Sequence, residues 1–206
     1  MSFDECVFIN FPFDNSYITD ILKPTLYILI KNGFHPRLSL EVSDSGEVRL
    51  QKITDIIKIC KYSIHYLSIV KSKKANEFAR MNMPLELGID YGLRNSGMLR
   101  LDEKKFLILE AVKYDYMKAI SDINGFDIKV HGNKTEKVFE CLYSWSSETL
   151  KINKQDPPRK IFFDYMEFNA SLFDEKVRQY GSNDLAKNYI EQISIPEYIN
   201  EIKVRL

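Results

Sequence analysis

The chain has 206 residues, 45% of them hydrophobic and 28% charged, which suits a folded protein with one full core and a small appendage. Its 29 basic and 29 acidic side chains cancel, so the basic surplus of a nucleic-acid footprint is missing and no direct nucleic-acid binding is expected. No apolar run approaches the roughly 20 residues needed to cross a bilayer, and Met-Ser-Phe-Asp-Glu-Cys is not the basic-then-apolar start of a signal peptide, so the expectation is a cytoplasmic protein without membrane contact. The three cysteines (Cys6, Cys60, Cys141) are odd in number and form no CxxC pair; they read as reduced thiols, with neither a disulfide framework nor a metal site.

In chain order, Cys6 to Asn10 is a short apolar, β-prone run, a buried strand that ends in the turn Phe11 to Asp14. A helical pattern follows from Tyr17 to Lys31, closed by Asn32-Gly33. Pro24 lies inside it, so either the helix kinks or a second helix starts with Pro24 in its first turn. Phe34 to Leu40 is a weaker strand, confined by Pro36 to an edge. A helix from Glu47 to Lys61 is expected to bury Val48, Ile53, Ile56, Ile57 and Cys60.

Tyr62 to Leu67 reads as the next strand, followed by a polar loop from Ser68 to Arg80 and a helix that carries Glu86 and runs to Asn95. Lys105 to Leu109 is a strand, Tyr114 to Ile123 a short helix, Phe126 to Val130 a last strand and Thr135 to Leu150 a helix. Strands alternating with helices predict a parallel α/β sheet covered on both faces. Residues 1–152 form this unit; residues 153–206 are a proline-containing linker and a helical extension expected to pack on the sheet unit or on a second subunit.

Chemistry in an open parallel sheet gathers at the carboxyl ends of the strands. Glu86, expected in the first helical turn after a strand and loop, has two open readings. It complements the positive helix end, or that same dipole holds it ionised to stabilise or attack a cationic sugar carbon. Asp90 lies one turn on and reads as an accessory group or a solvated acid. Asn10, Phe11 and Asp14 follow the first strand, where Phe11 could stack on a base and Asp14 accept ribose hydroxyls; Asp14 is equally a helix cap. Arg37 suits a phosphate, and so do its neighbours in charge around the next loop, among them Arg49; ion pairs with Glu41, Asp44 and Glu47 are the alternative. Ser68, Asn82 and His131 stand at the same sheet edge, whereas His65 reads as a core histidine. No GxGxxG, P-loop or Ser-His-Asp order is present.

Three segments resemble Toll/interleukin-1 receptor (TIR) domains: VFINFPFD, GEVRLQKITDIIKICKYSIHYLS and NMPLELGIDYG. The last also resembles the glutamate segment of nucleoside 2-deoxyribosyltransferases. The resemblance covers roughly Cys6 to Leu150, and the tryptophan-cysteine pair that often precedes a TIR glutamate is Asn82-Met83-Pro84 here. The resemblance implies a flavodoxin-like (TIR-like) three-layer sandwich of about five parallel strands with Glu86 acting on an N-glycosidic bond. It implies NAD as substrate rather than cofactor, with glycohydrolase or ADP-ribose cyclase activity in antiphage signalling; the helical tail lies outside the resemblance and is expected to serve self-association into a homo-oligomer. Deoxyribosyl transfer or hydrolysis, or a non-catalytic nucleotide-sensing module, are the alternatives. Nicotinamide leaves NAD as a neutral base from a cationic ring and needs little acid help. A purine or pyrimidine asks for a second carboxyl group with a raised pKa, and only one well-placed carboxylate is legible.

Overall fold

Five strands pair side by side, all parallel, in the order β2-β1-β3-β4-β5. They are β1 (Cys6–Asn10), β2 (His35–Arg37), β3 (Tyr62–Tyr66), β4 (Lys105–Glu110) and β5 (Ile128–Val130). The computed structural model describes residues 2–12, 17–41, 44, 46–69, 81–153 and 155–206. Its helices are α1 (Lys23–Lys31), α2 (Arg49–Lys58), α3 (Asn82–Arg94), α4 (Thr135–Glu148), α5 (Pro158–Tyr180), α6 (Asn183–Gln192) and α7 (Ile195–Arg205). Among the described residues no helix is long and apolar enough to cross a membrane. The strand order is that of a flavodoxin-like sandwich.

The two faces of the sheet differ in chemistry. Val7 and Ile9 of β1, Ile64 and Tyr66 of β3, and Leu107 and Leu109 of β4 meet α1 and α4 in the larger core. The alternate residues Cys6 and Phe8 meet Ile53, Ile56, Ile57 and Cys60 beneath α2. On that second face the alternation also buries Asn10, Ser63 and His65, polar groups in positions usually filled by aliphatic ones.

Local chemistry explains where elements depart from their expected bounds. Pro36 sits in the outermost strand opposite Val7, and pairing is limited to three residues. Pro24 falls at the start of α1, preceded by one π-helical stretch, Ile18–Leu22. Proline has no N–H for the carbonyl of Asp20, which takes the Thr135 hydroxyl instead at 3.0 Å. The helix expected from Tyr114 to Ile123 is two 3-10 turns, Asp115–Lys118 and Ser121–Ile123. Tyr114 is left-handed at φ 61°, and the Glu110 carboxylate accepts the backbone N–H of Tyr116 at 2.7 Å, so this backbone is satisfied without an α-helix. Val48, expected in the core, precedes α2 and is 71% exposed.

The carboxyl-terminal helices cover the outer side of α1 and α4. Ile161, Tyr165, Phe168, Leu172, Tyr198 and Ile202 belong to the same apolar cluster as the sheet residues Val7 and Ile64. Tyr27 of α1 packs between Tyr165 and Phe168, with ring centroids 5.4 and 5.5 Å away. Lys23, buried beneath the tail, donates to the Ile190 carbonyl at 2.9 Å and lies over the Tyr198 ring.

This shared core makes a specific prediction. Tyr198 is fully buried, packs on Phe168 and donates its hydroxyl to Asn169 Oδ1 at 3.1 Å. Tyr198→Ala should cost about 3–5 kcal/mol. Because tail and sheet share one cluster, the loss should shift a single urea transition seen by both Trp145 fluorescence and circular dichroism. Two separate transitions would show that the tail folds independently.

Candidate active site

A strand order of 2-1-3-4-5 reverses its winding between β1 and β3, and ligands of such sheets bind in the crevice beyond the carboxyl ends of those two strands. β1 ends there in Asn10, β3 is followed by Leu67 and Ser68, and α3 begins nearby. The buried stripe of α3 is Met83, Glu86, Leu87 and Asp90, a regular helical face in which two of four residues are acids.

Asn10 ties the start of α3 to the sheet. Its Nδ2 donates to the Met83 carbonyl at 2.7 Å and to His65 Nδ1 at 3.0 Å. A carbonyl only accepts, so the amide orientation is fixed and His65 carries its proton on Nε2. That proton goes to Asp90 Oδ2 at 3.1 Å. Asp90 Oδ1 lies 3.1 Å from Lys104 Nζ, and neither side chain has any exposed surface. Lys104 also donates to the carbonyls of Ile57, at 2.8 Å, and Cys60 at the end of α2. Burial pushes the Asp90 carboxyl up, but the His65 hydrogen bond and the Lys104 ammonium outweigh it and hold Asp90 below the ordinary carboxylate range.

Glu86 sits between these two anchors in a different environment. It is 5% exposed, and no described residue gives it a hydrogen bond or ion pair. Burial raises its pKa to about 7, against a smaller opposing effect of Arg49. The expectation that the helix dipole keeps Glu86 ionised is therefore overturned. Glu86 is the fifth residue of α3 rather than one of the first turn, and there desolvation outweighs the dipole. Asp90 is likewise not a solvated acid. The Asn10 carbonyl oxygen, Oδ1, is also buried, with no hydrogen-bond partner among the described residues. An orphaned acceptor costs about 1–3 kcal/mol, so one at the switch point is a candidate contact for a ligand donor.

The other expected site residues divide between two places. Ser68 and His131 come together: the Asn133 N–H donates to His131 Nδ1 at 3.1 Å, so Nε2 carries the proton and donates to Ser68 Oγ at 2.9 Å. Burial depresses His131 to a pKa of about 4. A neutral imidazole donating to the serine does not activate it as a nucleophile. Phe11 lies beside them but is buried, edge-on to Tyr66 at 5.0 Å and close to Tyr17, so its ring faces protein. Asn82 is exposed at the first position of α3. Arg37 stands apart on the edge strand, its Nε 2.8 Å from both oxygens of Glu41. Asp14 lies outside the described residues, as does the expected polar loop from residue 70 to residue 80.

Two charged residues, Lys104 and Glu110, were not singled out by sequence reasoning. Lys104 precedes β4 and Glu110 ends it, and a charged residue at each end of an apolar run is the local signal. Arg49, weighed with Arg37, is the arginine whose charge reaches Glu86. No group of three His, Cys, Asp or Glu side chains among the described residues is arranged to hold a metal ion. The chain matches no protein-family model and no curated protein.

Glu86 binds a proton more readily in the folded protein than at its ordinary value of 4.5. Folding therefore takes up a proton between about pH 4.5 and pH 7, and stability falls as pH rises through that window. Above it the ionised carboxylate is a net burden on the order of 3 kcal/mol. Glu86→Gln should thus be more stable than wild type at pH 8 and indistinguishable near pH 4, as read from urea midpoints at the two pH values. A variant equally or less stable at pH 8 would contradict the buried, unpaired carboxyl.

Proposed function

We propose that the chain breaks an N-glycosidic bond of a nucleotide at the β1–β3 crevice, with NAD as the substrate and nicotinamide as the leaving group. The observation that carries this reading is Glu86: a desolvated carboxyl, unclaimed by any described neighbour, fixed by anchors on either side at the switch point of a parallel sheet. As the C1–N bond from the ribose to nicotinamide stretches and its electron pair leaves with the base, positive charge spreads over C1 and the ring oxygen. An ionised Glu86 stabilises that charge or adds to it, and low local polarity strengthens the attraction. Departing nicotinamide regains a neutral aromatic ring and takes no proton. Water then completes hydrolysis, or an internal acceptor closes a cyclic product.

In this reading Asn10 Oδ1 accepts a ribose hydroxyl hydrogen, and Arg49, exposed at the amino end of α2, meets the diphosphate together with that helix terminus. The TIR-like resemblance of the segments through Glu86 points to the same chemistry and to a signalling role in antiphage defence. A second reading draws on a different observation, the pKa of about 7 at Glu86. A carboxyl half protonated at neutral pH could hand its proton to a departing purine or pyrimidine, as deoxyribosyl transfer requires.

The pH profile separates the two. With NAD, nicotinamide release should rise through pH 7 to a plateau, because the ionised form acts. Base exchange in a deoxynucleoside should fall through the same pH, because the protonated form acts. Glu86→Gln should lower the operative rate by at least about a hundredfold. If wild type turns over neither substrate yet binds nucleotide as well as Glu86→Gln does, the fold is a sensing module and the catalytic reading fails.

A further inference from the structure

A second reactive cluster lies at the opposite, amino edge of the sheet. Cys6 opens β1, and Cys60 lies between α2 and β3; the pairing of Val7 with Tyr62 brings them to neighbouring positions. Both belong to the small buried cluster that contains Phe8, Ile53, Ile56 and Ile57. Arg37, from the adjacent edge strand, lines the same cavity as Cys6 while Glu41 holds its Nε. That cavity, of about 370 Å³, is also lined by Phe3, Lys58, Arg100 and Leu101. That space holds several molecules the size of water, each of which takes roughly 30 Å³ in the liquid. Cys141 has none of these features: it lies in the other core and donates to the Val130 carbonyl at 3.6 Å.

We propose that Cys6 and Cys60 are a peroxide-reactive thiol pair that closes reversibly to a disulfide, with Cys6 attacking and Cys60 resolving. The cavity admits the hydroperoxide to Cys6, and Arg37 stabilises the sulfur as thiolate. The Cys60 S–H, foremost, and the Arg37 charge lower the Cys6 thiol to about 6, while burial raises Cys60 well above its ordinary value. The Cys6 thiolate attacks one peroxide oxygen and the O–O bond breaks. This leaves a sulfenic acid on Cys6 and a hydroxide, which takes a proton. Cys60 sulfur then attacks the Cys6 sulfur, the S–O bond breaks, and the second oxygen leaves as water with the Cys60 proton. Two thiols are oxidised to one disulfide, and one hydrogen peroxide is reduced to two waters. The Glu86 site takes no part, so this inference stands independently of the proposed activity.

The test uses the full reduced chain, treated with hydrogen peroxide and mapped by mass spectrometry after alkylation under denaturing conditions. The expected product is a monomer lighter by two hydrogen atoms, with one peptide pair joined through Cys6 and Cys60, Cys141 alkylated, and full reversal by dithiothreitol. The oxidation rate should stay nearly flat from pH 7 to pH 8.5, where that of free cysteine climbs. Cys60→Ser should stop at a Cys6 sulfenic acid that dimedone traps. Wild-type mapping alone decides the matter if that variant does not fold. Three intact thiols, a bridge through Cys141, or linkage only between chains would overturn the proposal.

Discussion

The position of α3 depends on one buried ion pair. Asp90 and Lys104 meet at 3.1 Å with no exposed surface, and each is worth keeping only because the other is present. Removing either partner would strand a charge in the interior, which typically costs 3–5 kcal/mol, whereas the intact pair contributes little net stability. What it contributes is placement. A helix held by aliphatic contacts can rotate or slide by a fraction of a turn at small expense. One held through Asp90 at its middle and the Met83 carbonyl at its start can do neither without breaking charge-assisted hydrogen bonds.

Glu86 inherits its environment from this arrangement. It lies three residues after Met83 and four before Asp90, on the same face, so fixing those two residues fixes the direction of the carboxyl between them. The two acids are chemically alike but titrate in opposite directions. Asp90 has a histidine proton and an ammonium to compensate burial, and Glu86 has burial almost alone. Divergence of this kind between neighbouring carboxyls is how acid and base roles arise at neutral pH. Asp90, buried and paired, serves to orient; Glu86 has no hydrogen-bond or ion-pair partner among the described residues. The uncompensated burden at Glu86 is a stability loss that packing alone would remove, and such losses concentrate where function requires them.

The sheet was legible because its central strands are buried on both faces, so that VFI, IHY and FLIL stand out as short β-rich runs. Proline and glycine marked the helix limits for equally local reasons. The site was legible only in its outline. Asn10 and Glu86 are conspicuous because each sits beside an element boundary at the productive edge. The partners that give Glu86 its chemistry were not. Asp90 on a helix and Lys104 before a strand look like ordinary surface charges, and nothing within either segment reveals that they face each other. The helix-dipole argument assumed a first-turn position; Glu86 is the fifth residue of α3, just past that turn, where burial raises its pKa. Tyr114 escaped notice because a left-handed non-glycine residue depends on the Glu110 carboxylate capturing the amides that follow it.

The same polar groups also join the two edges of the sheet. From the Met83 carbonyl the contacts run through Asn10, His65 and Asp90 to Lys104, and from there to the carbonyls of Ile57 and Cys60. The Asp90–Lys104 link is an ion pair, and the others are hydrogen bonds. Lys104 is the residue common to both ends, since it neutralises Asp90 and caps the last turn of α2 at once. Its three contacts impose one geometry on β4, α2 and α3 together. Energies of substitutions along such a chain are coupled rather than additive, because losing one link frees the next group to seek another partner. A change at His65 therefore bears on Lys104 and on the end of α2 as well as on the residues nearest Glu86.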